Sequence, residues 1–451
     1  MKTDIDTQQT GSTRLLPKTA RQKAWRSIFE SAFLLIAGAI LLYANAFWNT
    51  MNMYGDAWQQ ADGAKYQCYA LAFWQGANML RVVPKVHCAF ITSLASAAPF
   101  HILPSEYPFL ALIPFSIPLT APLNLYLFAF ALLMLLVAGV IYFVLRRFAS
   151  IGAACAFVLY LVAGCLVTAP GRYDLVPAAL TLIALLCAER AKWKWAFALL
   201  ALATLLKFYP VVLLPPFFIA QQMQESDRRW FAWRRYVPIG VFAVLCVVVM
   251  GASFLLSVPG TLGPLDYFAY RPIQVESLAA SVVRVISMIR GYRLEYAFSF
   301  GSRNVLSPIS PIVSMGDTIM LVLGFLYVYW LQWRKKIALS MAVLLTLLIM
   351  ILLGKVFSAQ YLIWVAPFIA YVGKWNWKWI IGWGSISLVT TLIYPFIYNR
   401  AAFWFEPYLP ELYNTVLVRN LLLLGFSCVL LYQAARSRPG SVVESGTQPP
   451  F

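Results

Sequence analysis

The sequence predicts an all-α integral membrane protein, and three observations carry that reading. Charged residues make up 12% of the chain, about half the roughly 25% typical of soluble domains. Apolar runs recur along nearly the whole length, many of roughly the 20 residues that cross the hydrocarbon core as helix. Basic clusters stand at alternate ends of those runs, which is the bias that orients a multispanning chain. Helix is the element such a solvent selects, because a helix satisfies its own backbone hydrogen bonds.

Residues 1–27 are polar and read as a disordered cytoplasmic tail. Ser31 to Trp48 forms the first span. Ala44-Asn45-Ala46 resembles a signal-peptidase site, but the apolar run is long enough to remain as a signal-anchor. A long first extracytoplasmic loop, 49–105, follows. Residues 106–121 are apolar, short and broken by Pro108, Pro114 and Pro118. A re-entrant element fits them, since irregular backbone is tolerated at membrane depth where it lines a protein cavity.

Further spans fall near 123–145, 151–169, 173–188, 193–208, 209–222, 237–258, 313–333, 337–354, 359–373, 378–396 and 415–433, giving about twelve transmembrane helices. Arg146-Arg147, the 190–194 cluster, Arg228 to Arg235, Arg334-Lys335-Lys336, Lys374 with Lys378, and Arg436 with Arg438 occupy one side. Placing that side inside puts both termini in the cytoplasm and loops 49–105 and 259–312 outside. The expectation is one polytopic domain, 28–433, in the plasma membrane, with a second disordered tail, 434–451, rich in Gly, Ser and Pro.

Several function classes drop out. The net charge of +18 invites a nucleic-acid reading, but the charge is scattered over short cytoplasmic stretches and no basic aromatic groove accompanies it. Two histidines, His87 and His101, and no His/Cys cluster of zinc-site spacing give no protein-built metal site. No Gly-rich phosphate loop supports nucleotide hydrolysis, and no internal repeat suggests the inverted-repeat design of many transporters. Cys155, Cys165, Cys187, Cys246 and Cys428 lie in apolar runs and read as small hydrophobes. Cys68 and Cys88 share the first loop, where an oxidising exterior would let them pair or leave them as thiols.

The candidate chemistry lies on the outer side. Asp62 opens a segment in which Tyr66, Tyr69, Ala70 and Phe73 recur at helical spacing. A carboxylate there is ordinarily an N-cap, and spacing alone favours that role; the chemical alternative is a general base at the membrane surface. Asp56 is the neighbouring candidate. Glu106 either caps the proline-broken element or hydrogen-bonds a sugar hydroxyl. The arginines of loop 259–312, Arg271 among them, are either a solvated face or an anion site, for which the guanidinium fork is suited. Lys207 and Lys355 each end a span and can offer point charges to a phosphate at headgroup level.

Read together, these segments resemble glycosyltransferase family 87, the polyprenol-phosphate-mannose-dependent α-mannosyltransferases of the GT-C superfold. Asp62-x-x-x-Tyr66-x-x-Tyr69-Ala70, closing at Gly76, is similar to that family's first-loop pattern. Ser105-Glu106-Tyr107-Pro108-Phe109-Leu110-Ala111-Leu112 is similar to its Glu-Tyr-Pro-Pro-Leu-Ala-Leu motif. Gly171-Arg172-Tyr173-Asp174-Leu175, Leu206-Lys207-Phe208-Tyr209-Pro210, Arg271-Pro-Ile-Gln274-Val-Glu276-Ser277 and Lys355-Val-Phe357-Ser358-Ala-Gln360-Tyr361 continue it in order. The resemblance spans about 60–370 and implies a GT-C-like fold and an inverting sugar transfer. It raises Asp62 to the catalytic base, with Asp56 as runner-up. Lys207, Arg271, Lys355 and Arg172 would bind the donor phosphate. Glu106, Tyr107, Asp174, Gln274, Glu276, Ser358 and Gln360 would orient sugar and acceptor.

The implied partners are a polyprenyl-phosphate-linked sugar, a glycan or glycolipid acceptor, and membrane lipid, with no cofactor. Two other classes fit the same spans. A transporter or flippase of lipid-linked or small solutes would need no base. An accessory scaffold for another glycosyltransferase would make Asp62 dispensable.

Overall fold

A computed structural model describes residues 18–53, 62–81, 88, 90–91, 101–225, 232–398 and 410–437. Within these residues the chain is helical apart from one two-stranded hairpin. Asp56 and the terminal stretches 1–17 and 438–451 lie outside the described residues. The first helix, α1, runs Lys18–Met53 and so begins inside the stretch expected to be tail. The last, Pro410–Arg436, ends slightly past the expected boundary.

Among the described residues, six helices are long and apolar enough to cross a membrane: Ser27–Asn49 within α1, Leu123–Phe148, Val237–Leu256, Ser310–Trp333, Trp377–Ile397 and Glu411–Arg436. These match the longer spans read from sequence. The remaining expected spans are shorter helices, including Ile151–Gly164, Leu175–Glu189, Trp193–Leu206, Leu339–Leu353 and Tyr361–Gly373. A 15-residue helix is about 22 Å long, less than the ~30 Å hydrocarbon core.

The two groups differ in burial, which explains the difference in length. Val237–Leu256 is 11% buried and Ser310–Trp333 only 6%, so these helices offer apolar side chains outward, as lipid contact requires. Leu339–Leu353 and Tyr361–Gly373 are buried along most of their length. Their apolar side chains face protein on every side, so their length need not match a bilayer. The segment at 109–120 is a chain of short pieces, Phe109–Ala111, Leu112–Ser116 and Ile117–Thr120, as its prolines dictate.

Loop 259–312 departs from expectation. It folds into a helix Val258–Tyr270, a helix Leu278–Arg290 and a hairpin of β1 (Glu295–Ser299) with β2 (Ser302–Leu306). The helices start where Ser257 and Ser277 accept backbone N–H bonds from Gly260 and Ala280, each at 3.1 Å, which is the ordinary N-cap arrangement. The second ends at Gly291 with φ +72°, the left-handed position glycine tolerates. The hairpin turns through Phe300 and Gly301, both at positive φ, as the strand twist requires of a two-residue turn. A disulfide joins Cys68 to Cys88, anchoring the helix Asp62–Gln75 (α2) to the chain that follows it.

Candidate functional site

A cavity of about 460 Å³ opens where the ends of these helices meet the folded segment that carries the hairpin. Its walls collect residues from widely separated stretches of sequence. From α2 come Asp62 and Lys65; from the proline-broken segment come Glu106 and Tyr107. Arg172 and Lys207 stand at the ends of short buried helices. Arg271, Gln274 and Glu276 come from the link between the helices Val258–Tyr270 and Leu278–Arg290, and Lys355, Ser358 and Gln360 from the turn before Tyr361–Gly373. Asp174 stands behind the wall, fully buried. Asp56 is outside the described residues.

Asp62 is the first residue of α2, and its carboxylate pairs with the Arg172 guanidinium. Beneath it, Tyr66 stacks on Phe115 at 4.2 Å and meets Tyr107 and Tyr173 edge-on. This aromatic floor fixes the start of α2 through large buried areas and favourable ring geometry. Lys65, one turn along, lies 3.7 Å from Glu106. The hairpin tip closes over them: a β-carbon on Gly301 would stand 3.3 Å from Lys65 Nζ, and Tyr267 donates its hydroxyl to the Phe300 carbonyl.

Lys207 and Asp174 form the buried pair of the site. Lys207 Nζ donates to Asp174 Oδ1 at 2.6 Å, with side-chain exposures of 9% and 0%. Trp364 Nε1 donates to the same oxygen, and Tyr209 and Tyr361 stack on the Trp364 ring. The Arg172-Tyr173-Asp174 turn therefore splits its charges, the arginine going to Asp62 and the aspartate to Lys207. Two of the four cations expected to meet a phosphate are thus held by carboxylates of the protein.

The other two differ. Arg271 donates to Ser302 Oγ at 2.9 Å and Lys355 to the Ala269 carbonyl at 3.1 Å, and neither makes a salt bridge among the described residues. Burial, and after it the Arg271 charge, pushes the Lys355 ammonium below its ordinary value. An anion between them would offset the repulsion between the two cations.

Backbone pairing sets the opposite wall. Gln274 N–H donates to the Lys355 carbonyl at 3.0 Å, Val275 N–H to Arg303 and Val305 N–H to Ile273. The Gln274 side chain takes the Phe357 N–H at 2.8 Å and donates to Glu276 Oε1 at 3.3 Å. Glu276 is 3% exposed, with Arg419 Nη1 3.7 Å from Oε2. Burial pushes its carboxyl up to about 7, against the pull of Arg419. Near neutrality it can therefore donate or accept a hydrogen bond. Glu276 Oε2 and Gln360 Oε1 are buried with no hydrogen-bond partner among the described residues.

Sequence reasoning left out Lys65, Tyr267 and Tyr394 and gave no role to Tyr361 and Trp364, though all five line the cavity. Lys65 had a usable signal: it lies three residues after Asp62 and shares its helix face. Tyr394 had none: it stands at a break in helical backbone, with φ −125° and ψ 118°. Among the described residues no three His, Cys, Asp or Glu side chains gather into a metal-binding group. Compared with known proteins, the chain matches no protein-family model and no curated protein.

Proposed function

We propose that this chain moves a sugar, mannose on the resemblance above, from a polyprenyl-phosphate donor to a hydroxyl of a lipid-linked or envelope glycan. The reaction takes place on the extracytoplasmic side of the plasma membrane. The enzyme is a GT-C-like polytopic protein in which the shorter buried helices complete about twelve spans. One observation carries the reading. Among the described residues, the cavity beside Asp62 sets two cations without carboxylate partners, Arg271 and Lys355, beside a buried amide oxygen without a donor, Gln360 Oε1, and the Glu276 carboxylate, whose Oε2 has Arg419 at 3.7 Å but no hydrogen bond. A ligand that satisfies both sets presents an anion and hydroxyl donors together, as a sugar phosphate does. Buried polar groups without partners are costly, so such a ligand gains from every contact.

In the reaction Asp62 takes the proton of the acceptor hydroxyl while that oxygen bonds to the anomeric carbon. The bond from that carbon to the phosphate oxygen breaks, and its electron pair leaves with the phosphate. Attack and departure occur on opposite faces, so configuration inverts. Arg271 and Lys355 stabilise the leaving phosphate, whose charge grows in the transition state. Arg172 holds the base, and Lys207 holds Asp174, so neither is free to be the main phosphate ligand.

Arg271→Gln and Lys355→Met should each raise the donor KM and lower kcat, together by roughly 10–100-fold in kcat/KM, as loss of a charge-assisted contact predicts. Steady-state kinetics with radiolabelled polyprenyl-phosphate mannose checks this. Wild-type kinetics in a folded Lys355→Met protein would remove that lysine from the site.

A further inference from the structure

Behind Asp62, away from the main cavity, lies a second and much smaller one of about 20 Å³. Asp62 and Arg172 form part of its wall, so the same ion pair separates the two spaces. Trp48 and Tyr394 also line both spaces, and the polar residues that line the smaller one alone are Asn45 and Asn49 from α1 and Thr168 from the short helix Thr168–Gly171. The volume suits a single water, which needs about 10–15 Å³ by this measure and two to four polar partners.

Thr168 is 4% exposed and Asn45 5%. Thr168 Oγ1 has no hydrogen-bond partner to nitrogen or oxygen among the described residues. Beside it stands the Cys165 thiol, a weak partner. A hydroxyl left so in a protein interior costs free energy comparable to a lost hydrogen bond. The chain also meets closely here: a β-carbon on Gly171 would stand 3.1 Å from Asn45 Oδ1. A dry cavity of this kind would be apolar throughout; this one sets a hydroxyl and two amides across from a carboxylate.

We infer that this cavity is a site for one ordered water that ties the Asp62 carboxylate to Asn45 and Thr168, making these two positioning residues for the base. The inference rests on Asp62 being the base. Arg172 holds the carboxylate from one direction and the water from another. The carboxylate is thereby fixed with an oxygen facing the acceptor. Neither Asn45 nor Thr168 lines the main cavity, so donor binding does not depend on them.

The test uses the full chain in detergent, radiolabelled polyprenyl-phosphate mannose as donor and octyl α-mannoside as a surrogate acceptor. Thr168→Val is isosteric and removes only the hydroxyl, so the protein should fold with undiminished thermal stability. Its kcat should fall about fivefold, the effect of one net hydrogen bond, with the donor KM unchanged. Thr168→Ser should restore kcat to within about twofold, since it returns the hydroxyl. Asn45→Leu should reproduce the Thr168→Val loss. Asp62→Asn in the same assay separates this inference from the reading beneath it. An inactive Asp62→Asn beside a Thr168→Val with wild-type kcat overturns the water site and leaves the base. An active Asp62→Asn overturns both.

Discussion

Asp62→Asn is expected to stop sugar transfer while leaving the protein folded and able to bind donor. Asparagine keeps the size of the side chain and can still accept a hydrogen bond at the start of α2. It can also accept one from Arg172, although the ion pair itself is lost. Some loss of thermal stability follows, but the aromatic floor under Tyr66 does not depend on the charge. The amide cannot take a proton at working pH, so a general base is removed, which typically costs on the order of 10²–10⁴ in rate. The control is Asp56→Asn, which should retain most activity. An inactive Asp56→Asn with an active Asp62→Asn would move the base by six residues, and two active variants would end the enzyme reading.

Lys207→Met is expected to fail at folding rather than at donor binding. Asp174 is fully buried, and its carboxylate would keep the Trp364 N–H but lose its positive partner. Breaking a buried ion pair from one side costs roughly 3–5 kcal/mol, a large share of the stability of most proteins. Expression and the thermal midpoint in detergent should both drop sharply. The double variant Asp174→Asn/Lys207→Met leaves no uncompensated charge and should recover much of the loss. A folded Lys207→Met protein of normal stability with a raised donor KM would instead place Lys207 on the phosphate.

The sequence singled out residues that line the cavity better than it showed the contacts they make. Hydropathy and basic flanks located the long lipid-facing helices, because lipid imposes length and composition together. The shorter helices were read as spans of similar kind, since apolar content does not reveal that Leu339–Leu353 is surrounded by protein. Asp62 at a helix start followed from the spacing of Tyr66, Tyr69 and Phe73. That its carboxylate meets Arg172, and that Lys207 meets Asp174, could not be read. Residues 33 apart in the chain carry no local signal of contact, and a lysine ending a span looks the same whether it faces a phosphate or an aspartate.

The fold of loop 259–312 was hidden for a different reason. Its caps at Ser277 and Gly291 were present in the sequence, but they are short-range signals inside a segment already set aside as extramembrane. The Phe300-Gly301 turn was likewise open to inspection, yet pairing of β2 with the Ile273–Val275 stretch depends on tertiary packing that no local propensity encodes. This is the pairing that sets Gln274 and Glu276 in the cavity wall.

The most direct test of the central claim is transfer by the purified protein alone, supplied with radiolabelled β-linked polyprenyl-phosphate mannose and octyl α-mannoside. The predicted result is release of polyprenyl phosphate matched by an α-linked product, with both absent in Asp62→Asn. Donor that binds but is recovered intact, with no glycoside formed by folded wild-type protein, would contradict it.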